Sequence, residues 1–196
     1  DAVAAGPEAA RAADLHERRG AILEEHLGDA AGALTAYLAA FALAPERSGT
    51  AASVVRVATG AARWDVAATA IVTSARARGA VDSGLLATLE SAAGAADAWD
   101  DVTSELATAV AADAALPAAL AGELERRTAV WHRDQRQDAT AAERALERAL
   151  VRAGDEVETL RLLADVQRRA PGRSLVATLL RLANAGDDVL VALREA

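Results

Sequence analysis

Three histidines, scattered carboxylates and 21 arginines are the groups in this 196-residue chain that could do chemistry. A metal site wants imidazoles at i, i+3 or i+4, or facing pairs backed by carboxylates. His16 and His26 are ten residues apart and fall near opposite flanks of one helix, while His132 stands alone. All three read as solvated or interface histidines. Adjacent carboxylates occur at Glu24-Glu25, Asp100-Asp101 and Asp187-Asp188. Glycosidase-type chemistry needs two carboxyls from different elements facing across a pocket, one with a raised pKa. Side-by-side acids at helix starts are instead favoured by the helix dipole, so these read as caps and solvated faces. There is no cysteine and no lysine. Disulfides, thiolate zinc sites, Schiff bases and phosphate-loop lysines are thereby removed. No G-x-S-x-G, G-x-x-x-x-G-K or G-x-G-x-x-G occurs. The expectation is a non-enzymatic chain with no metal and no cofactor.

The composition sets what must position any binding residue. The net charge of -8 argues against general nucleic-acid binding, which wants a positive footprint. Hydrophobic residues make up 53%, yet 56 of them are alanine and only 43 are Leu, Ile, Val or Phe. That leaves the chain just above the poverty in large side chains that keeps charged sequences disordered. No stretch approaches the 18 or so apolar residues of a membrane span, and no basic start precedes an apolar run. The chain begins at Asp1 without a methionine, and we expect an excised or processed piece of a longer protein. Its compartment is left open, with the cytoplasm favoured. The residue choice is that of a GC-rich bacterial genome.

Alanine has the best helix propensity, and no alternation of β-branched residues persists, so the fold is expected to be all-α. Glycines followed by Asp or Ser break the sequence at regular intervals, as helix ends and starts do. The breaks predict helices at about 8–27, 30–43, 48–60, 64–78, 83–94, 98–113, 117–136, 139–153, 156–169, 173–185 and 187–196. Each carries an apolar stripe, such as Leu120, Leu124 and Trp131, or Ala142, Leu146, Ala149 and Leu150. Short connections make neighbours antiparallel. Segments also recur. Arg63-Trp64-Asp65 is echoed 35 residues on by Ala98-Trp99-Asp100, and Glu17-Arg18-Arg19 returns 108 residues on as Glu125-Arg126-Arg127. A period near 35 with two helices per period implies a helical solenoid.

The first unit carries Ala21 on one helix, Gly28 at the turn, Ala33, Tyr37 and Ala40 on the next helix, and Pro45 at the end. In this it resembles a tetratricopeptide repeat. The match degrades afterwards: Ala80 and Gly154 stand where the proline should be, and Pro171 falls between helices. The resemblance implies a right-handed superhelical solenoid over residues 8–196, after a tail at 1–7. Its units are approximately 13–46, 47–80, 81–116, 117–154 and 155–186, with a partial sixth at 187–196. It implies inter-repeat packing roles for Ala21, Ala33, Tyr37, Ala40, Trp64, Trp99, Ala142, Leu146 and Ala149. In such arrays the first helix of each pair lines a concave face. That places Arg18, Glu25 and His26 in the groove, then Thr50, Ser53, Val57, Thr88 and Ala92 along a small apolar middle. Arg126, Val130, Arg133 and Asp134, then Glu158, Arg161, Asp165, Arg168 and Arg169, form an arginine-rich, basic end, with Trp131 as an apolar anchor. The subtype that clamps chaperone tails uses Asn and Lys on first helices, which this chain lacks there.

The resulting expectation is a protein–protein interaction scaffold whose guest is a protein or peptide segment, acidic because arginine forks match carboxylates. Against it stands an ordinary charge lattice, such as Glu143 and Glu147 with Arg144 and Arg148, that only solvates helices. The alternative role is a structural segment of a larger solenoid that associates with copies of itself through Val189, Leu190 and Leu193.

Overall fold

The computed structural model of the chain describes residues 6–185. Among them the structure is all-α, with ten helices and no strand. The helices are α1 (Pro7–Glu25), α2 (Ala30–Leu43), α3 (Ser48–Gly60), α4 (Trp64–Arg78) and α5 (Ser83–Ala96). They continue as α6 (Trp99–Ala112), α7 (Ala118–Asp134), α8 (Ala139–Ala153), α9 (Val157–Gln167) and α10 (Arg173–Asn184). The helix expected over 187–196, with Val189, Leu190 and Leu193, lies outside the described residues, as does Asp187-Asp188.

Local chemistry sets the boundaries. Pro7 opens α1 at a position whose N–H would have no intrahelical partner. Asp29, Asp82 and Asp138 cap α2, α5 and α8. Their carboxylates accept from the backbone N–H groups of Gly32 (2.9 Å), Gly84 (2.9 Å) and Ala141 (2.9 Å). The turns inside the first four helix pairs share one backbone device. The residue before each second helix's N-cap is left-handed: Gly28 (φ 64°), Ala62 (φ 53°), Asp97 (φ 51°) and Gln137 (φ 52°). The next residue then donates its N–H back into the helix just ended. The pairs are Asp29 to Leu23 (2.8 Å), Arg63 to Ala58 (2.8 Å), Ala98 to Ala93 (2.9 Å) and Asp138 to His132 (2.8 Å). Carbonyls at a helix C-terminus are satisfied in this way. Only the first turn uses glycine, so three of the four hold a side chain in a region that normally disfavours one.

The chain forms two compact units that meet in sequence at Leu116 and Pro117. In the first, α1 packs on α2 and α2 on α3, α3 packs on both α4 and α5, and α4 packs on α6. Val54, Val55, Ile71, Val72, Leu89 and Leu106 are its largest sealed side chains. In the second, α7 packs on α8, α8 on α9 and α9 on α10. Leu146, Leu150, Leu160, Leu163, Leu175, Leu179 and Leu182 make its core. Ala33, Ala40, Ala142 and Ala149 are all buried, where a methyl side chain lets helices approach closely.

Two packing positions differ from the expectation. Ala21 is only half-buried, and the α1 residue beneath the Tyr37 ring is its neighbour Gly20. A methyl on Gly20 would sit 2.7 Å from the ring, so the aromatic needs a glycine there and not an alanine. Trp64 is buried but Trp99, at the matching place one period on, is half-buried beside Gly94. On α10 the buried stripe is Leu175, Thr178, Leu179 and Leu182, which leaves Val176 and Leu180 exposed.

Candidate functional site

Within each unit one first helix is joined to the following one, α1 to α3 and α7 to α9, by polar bonds about 30 residues apart in sequence. In the first unit α1 supplies the acids. Asp14 accepts from Arg47 at 2.6 Å, Glu17 accepts from the Thr50 hydroxyl, and Glu24 holds both terminal nitrogens of Arg56. Glu24 also accepts from the Tyr37 phenol at 3.1 Å. The bonded Arg56 guanidinium holds the Glu24 carboxyl below the ordinary glutamate value. Burial pushes the Tyr37 phenol up, and the Glu24 charge adds to the effect.

In the second unit α7 supplies the bases. Arg126 bonds Glu156 at the head of α9 and the Thr159 hydroxyl at 3.2 Å, while Thr159 donates to Glu156 at 3.0 Å. Arg133 forks onto Asp134 at 2.6 and 2.9 Å and also feels the charge of Asp165. Its guanidinium depresses the Asp134 carboxyl, helped by Arg169. Arg168 bonds Asp165 at 2.7 Å.

These bonds correct the picture of a free basic groove end. Arg126, Arg133 and Arg168 are each spent on a carboxylate of the same chain, and the exposed Arg161 is not without partners either. Arg169 is exposed beside Asp134. Trp131 cannot anchor a guest, because only 2% of it is exposed. Val130 is half-buried and lines a cleft with Ala129, Arg133, Leu146, Leu162 and Val166. That cleft leaves no room even for a water molecule. Arg18 is exposed on α1. Of the small groove residues, Thr50 and Val57 are buried. Thr88 and Ala92 line a depression open to solvent, with Thr59, Ala87, Ser91 and Ala95.

Two polar groups inside the second unit escaped the sequence reading. Glu125 is 1% exposed, and Arg148 reaches across from α8 to grip it with its fork at 2.8, 3.0 and 3.1 Å. Arg148 therefore does not belong to a solvating lattice with Glu143 and Glu147, and Glu143 accepts from Gln167 at 2.6 Å. The only available signal is a Glu inside the apolar stripe of Leu124 and Thr128, which calls for a buried partner. His132 is buried, not solvated. Its Nδ1 accepts from Arg136 at 2.7 Å, because a guanidinium can only donate, which places the ring proton on Nε2.

Compared with the models of known families and with curated proteins, the sequence matches none. Among the described residues no helix is long and apolar enough to cross a membrane, and no three His, Asp or Glu side chains gather as metal ligands would.

Proposed function

We propose that this chain is a helical-repeat, tetratricopeptide-like solenoid that serves as a protein–protein interaction scaffold without enzymatic activity. The observation that carries the reading is the left-handed turn repeated in four helix pairs. It recurs at residues 28, 62, 97 and 137 on four different amino acids, each with the same returning N–H bond. The left-handed helix end is common by itself, and its near-regular recurrence inside four successive helix pairs is what supports a repeated architecture. Such arrays offer a face built from their first helices. The depression along α3 and α5, lined by Thr59, Thr88, Ser91, Ala92 and Ala95, is the part of that face best suited to a guest backbone. An acidic guest at the arginine-rich end would have to displace Glu156, Asp134 or Asp165 from its present arginine.

The test is a quantitative pull-down of a partner segment by the whole chain. Ser91→Arg with Ala95→Arg should block capture by filling the depression, with helicity unchanged. Arg161→Glu with Arg168→Glu should weaken an acidic guest. Undiminished capture by both double variants would sink the groove reading.

A second reading, self-association within a larger solenoid, is favoured by Val176 and Leu180, which lie one turn apart on α10 and are 59% and 62% exposed. Light scattering over a concentration series separates the two readings. A species that stays monomeric at high micromolar concentration argues against self-assembly.

A further inference from the structure

In the second unit Arg126, Arg133, Arg148, Arg168 and Arg181 each hold a carboxylate of the chain, but the arginines on the outer face of α1 hold none among the described residues. Arg11, Leu15, Arg18 and Ile22 fall at i, i+4, i+7 and i+11, a single line along one side of a helix, and Arg19 flanks it. All five side chains are exposed, Leu15 by 67% and Ile22 by 53%. The other side of the helix is fully used. Ala13 and Gly20 are buried against α2, and Asp14, Glu17 and Glu24 are bonded to α3. Among the described residues no carboxylate is bonded to Arg11, Arg18 or Arg19, whereas Arg47, Arg56, Arg63, Arg76 and Arg78 of the same unit each hold one. A large apolar side chain left in water on a helix whose opposite face is packed marks a contact surface when it recurs in register. Here two recur, separated by unneutralised guanidiniums, on a protein whose net charge is -8.

We propose that the outer face of α1 is a docking surface for an acidic amphipathic helix of a partner protein. The stripe from Arg11 to Ile22 runs about 17 Å, three turns of helix. A complementary helix would set two Leu- or Ile-type residues seven apart against Leu15 and Ile22, and Glu or Asp between and beside them against the arginines. The charge selects the partner and speeds the encounter, while the apolar pair supplies the contact that excludes water. Glu8 and Glu25 at the two ends of the stripe give the face a mixed charge pattern, which a partner helix can match residue by residue and a uniformly anionic bilayer cannot. The proposal rests on the scaffold reading above but uses residues of α1 and none of those that line the α3 and α5 depression.

The experiment displays a library of helical peptides on phage. Leu is fixed at two positions seven apart, and the neighbouring positions are randomised among Glu, Gln and Lys. Panning on the full chain should enrich Glu over Lys by at least about tenfold. Arg11→Glu/Arg18→Glu/Arg19→Glu should abolish that preference with an unchanged far-ultraviolet circular dichroism spectrum. Leu15→Ser/Ile22→Ser should weaken binding by about tenfold and keep the preference for Glu. Equal enrichment on the triple variant overturns the α1 surface. If Ser91→Arg/Ala95→Arg removes that enrichment, the scaffold reading survives. No enrichment on the wild type also overturns the α1 surface. Binding to phosphatidylserine vesicles in place of peptide overturns it in favour of a lipid surface. Self-association that disappears in the triple variant overturns it in favour of a second copy of the chain.

Discussion

In the first unit the carboxylates stand on the earlier helix, α1, and the guanidiniums arrive from α3; in the second unit α7 carries the guanidiniums and α9 answers with acids. Arg47–Asp14 and Arg56–Glu24 in one unit correspond to Arg126–Glu156 and the approach of Arg133 to Asp165 in the other. The geometry is kept while the sign is exchanged. A buried threonine stands in the same place in both, Thr50 bonded to Glu17 and Thr159 to Arg126, each pair 33 residues apart. The shared threonine suggests that the register comes from packing and hydroxyl bonds, and that the charges serve selection. Exposed ion pairs add little stability, but a like-charged mismatch is penalised, so opposite polarities discourage α1 or α3 from pairing with the wrong counterpart.

The comparison is broken most severely at Glu125, which sits 108 residues after Glu17 but is sealed inside the second unit. Arg148→Ala leaves that carboxylate without its fork and should cost about 2–3 kcal/mol by urea denaturation, moderated because Arg148 itself is partly open to water. A loss below about 0.5 kcal/mol would mean that the fork is incidental. Next comes inversion of the seam. Arg126→Glu faces Glu156 and should lose about 1–2 kcal/mol, and adding Glu156→Arg should restore most of it. A double variant no better than the single would show that the charges are not interchangeable.

A smaller effect sharpens the likeness of the turns. Ala62 takes the left-handed conformation that Gly28 takes one helix pair earlier. Ala62→Gly should therefore stabilise by about 0.5–1 kcal/mol, while Gly28→Ala should destabilise by a similar amount. A melting curve shifted the same way by both would refute the common turn. The mildest test is acid. The folded Glu24 carboxyl titrates below its unfolded value, so its stabilisation is complete above the ordinary glutamate range, about pH 4.3. It is lost as pH falls through the folded value. The gap in stability between wild type and Glu24→Gln should be present at pH 7 and close in strong acid. A gap that persists at low pH would assign the effect to packing.

Much of this architecture was legible in the sequence. The glycine and aspartate punctuation places the ten described helices to within two residues, since caps are local chemistry. Helical periodicity likewise marks Leu124, Leu146 and Leu150 for the core. The failures come from distances that a one-dimensional pattern does not carry. Trp131 reads as an anchor because it neighbours arginines, but the face it shares with Leu124 and Thr128 turns inward. The basic end dissolves because Arg126 meets Glu156 across a helix pair, a pairing no i, i+4 rule anticipates. Gly20 passes as one more small residue, although the Tyr37 ring above it gives it a requirement Ala21 does not have. Three of the four shared turns are invisible for the opposite reason, because Ala62, Asp97 and Gln137 are not the residues that announce a left-handed bend.

The ring over Gly20 has an optical consequence. Tyr37 is the one tyrosine of the chain, and Trp131 is the one tryptophan of the second unit. Alkaline absorbance near 295 nm therefore reports a single phenol, held un-ionised beyond its ordinary range until α1 and α2 part. With Trp64 and Trp99 replaced by phenylalanine, indole emission would follow the second unit alone. Two intrinsic chromophores would then time the opening of each unit separately in one cuvette, without a label.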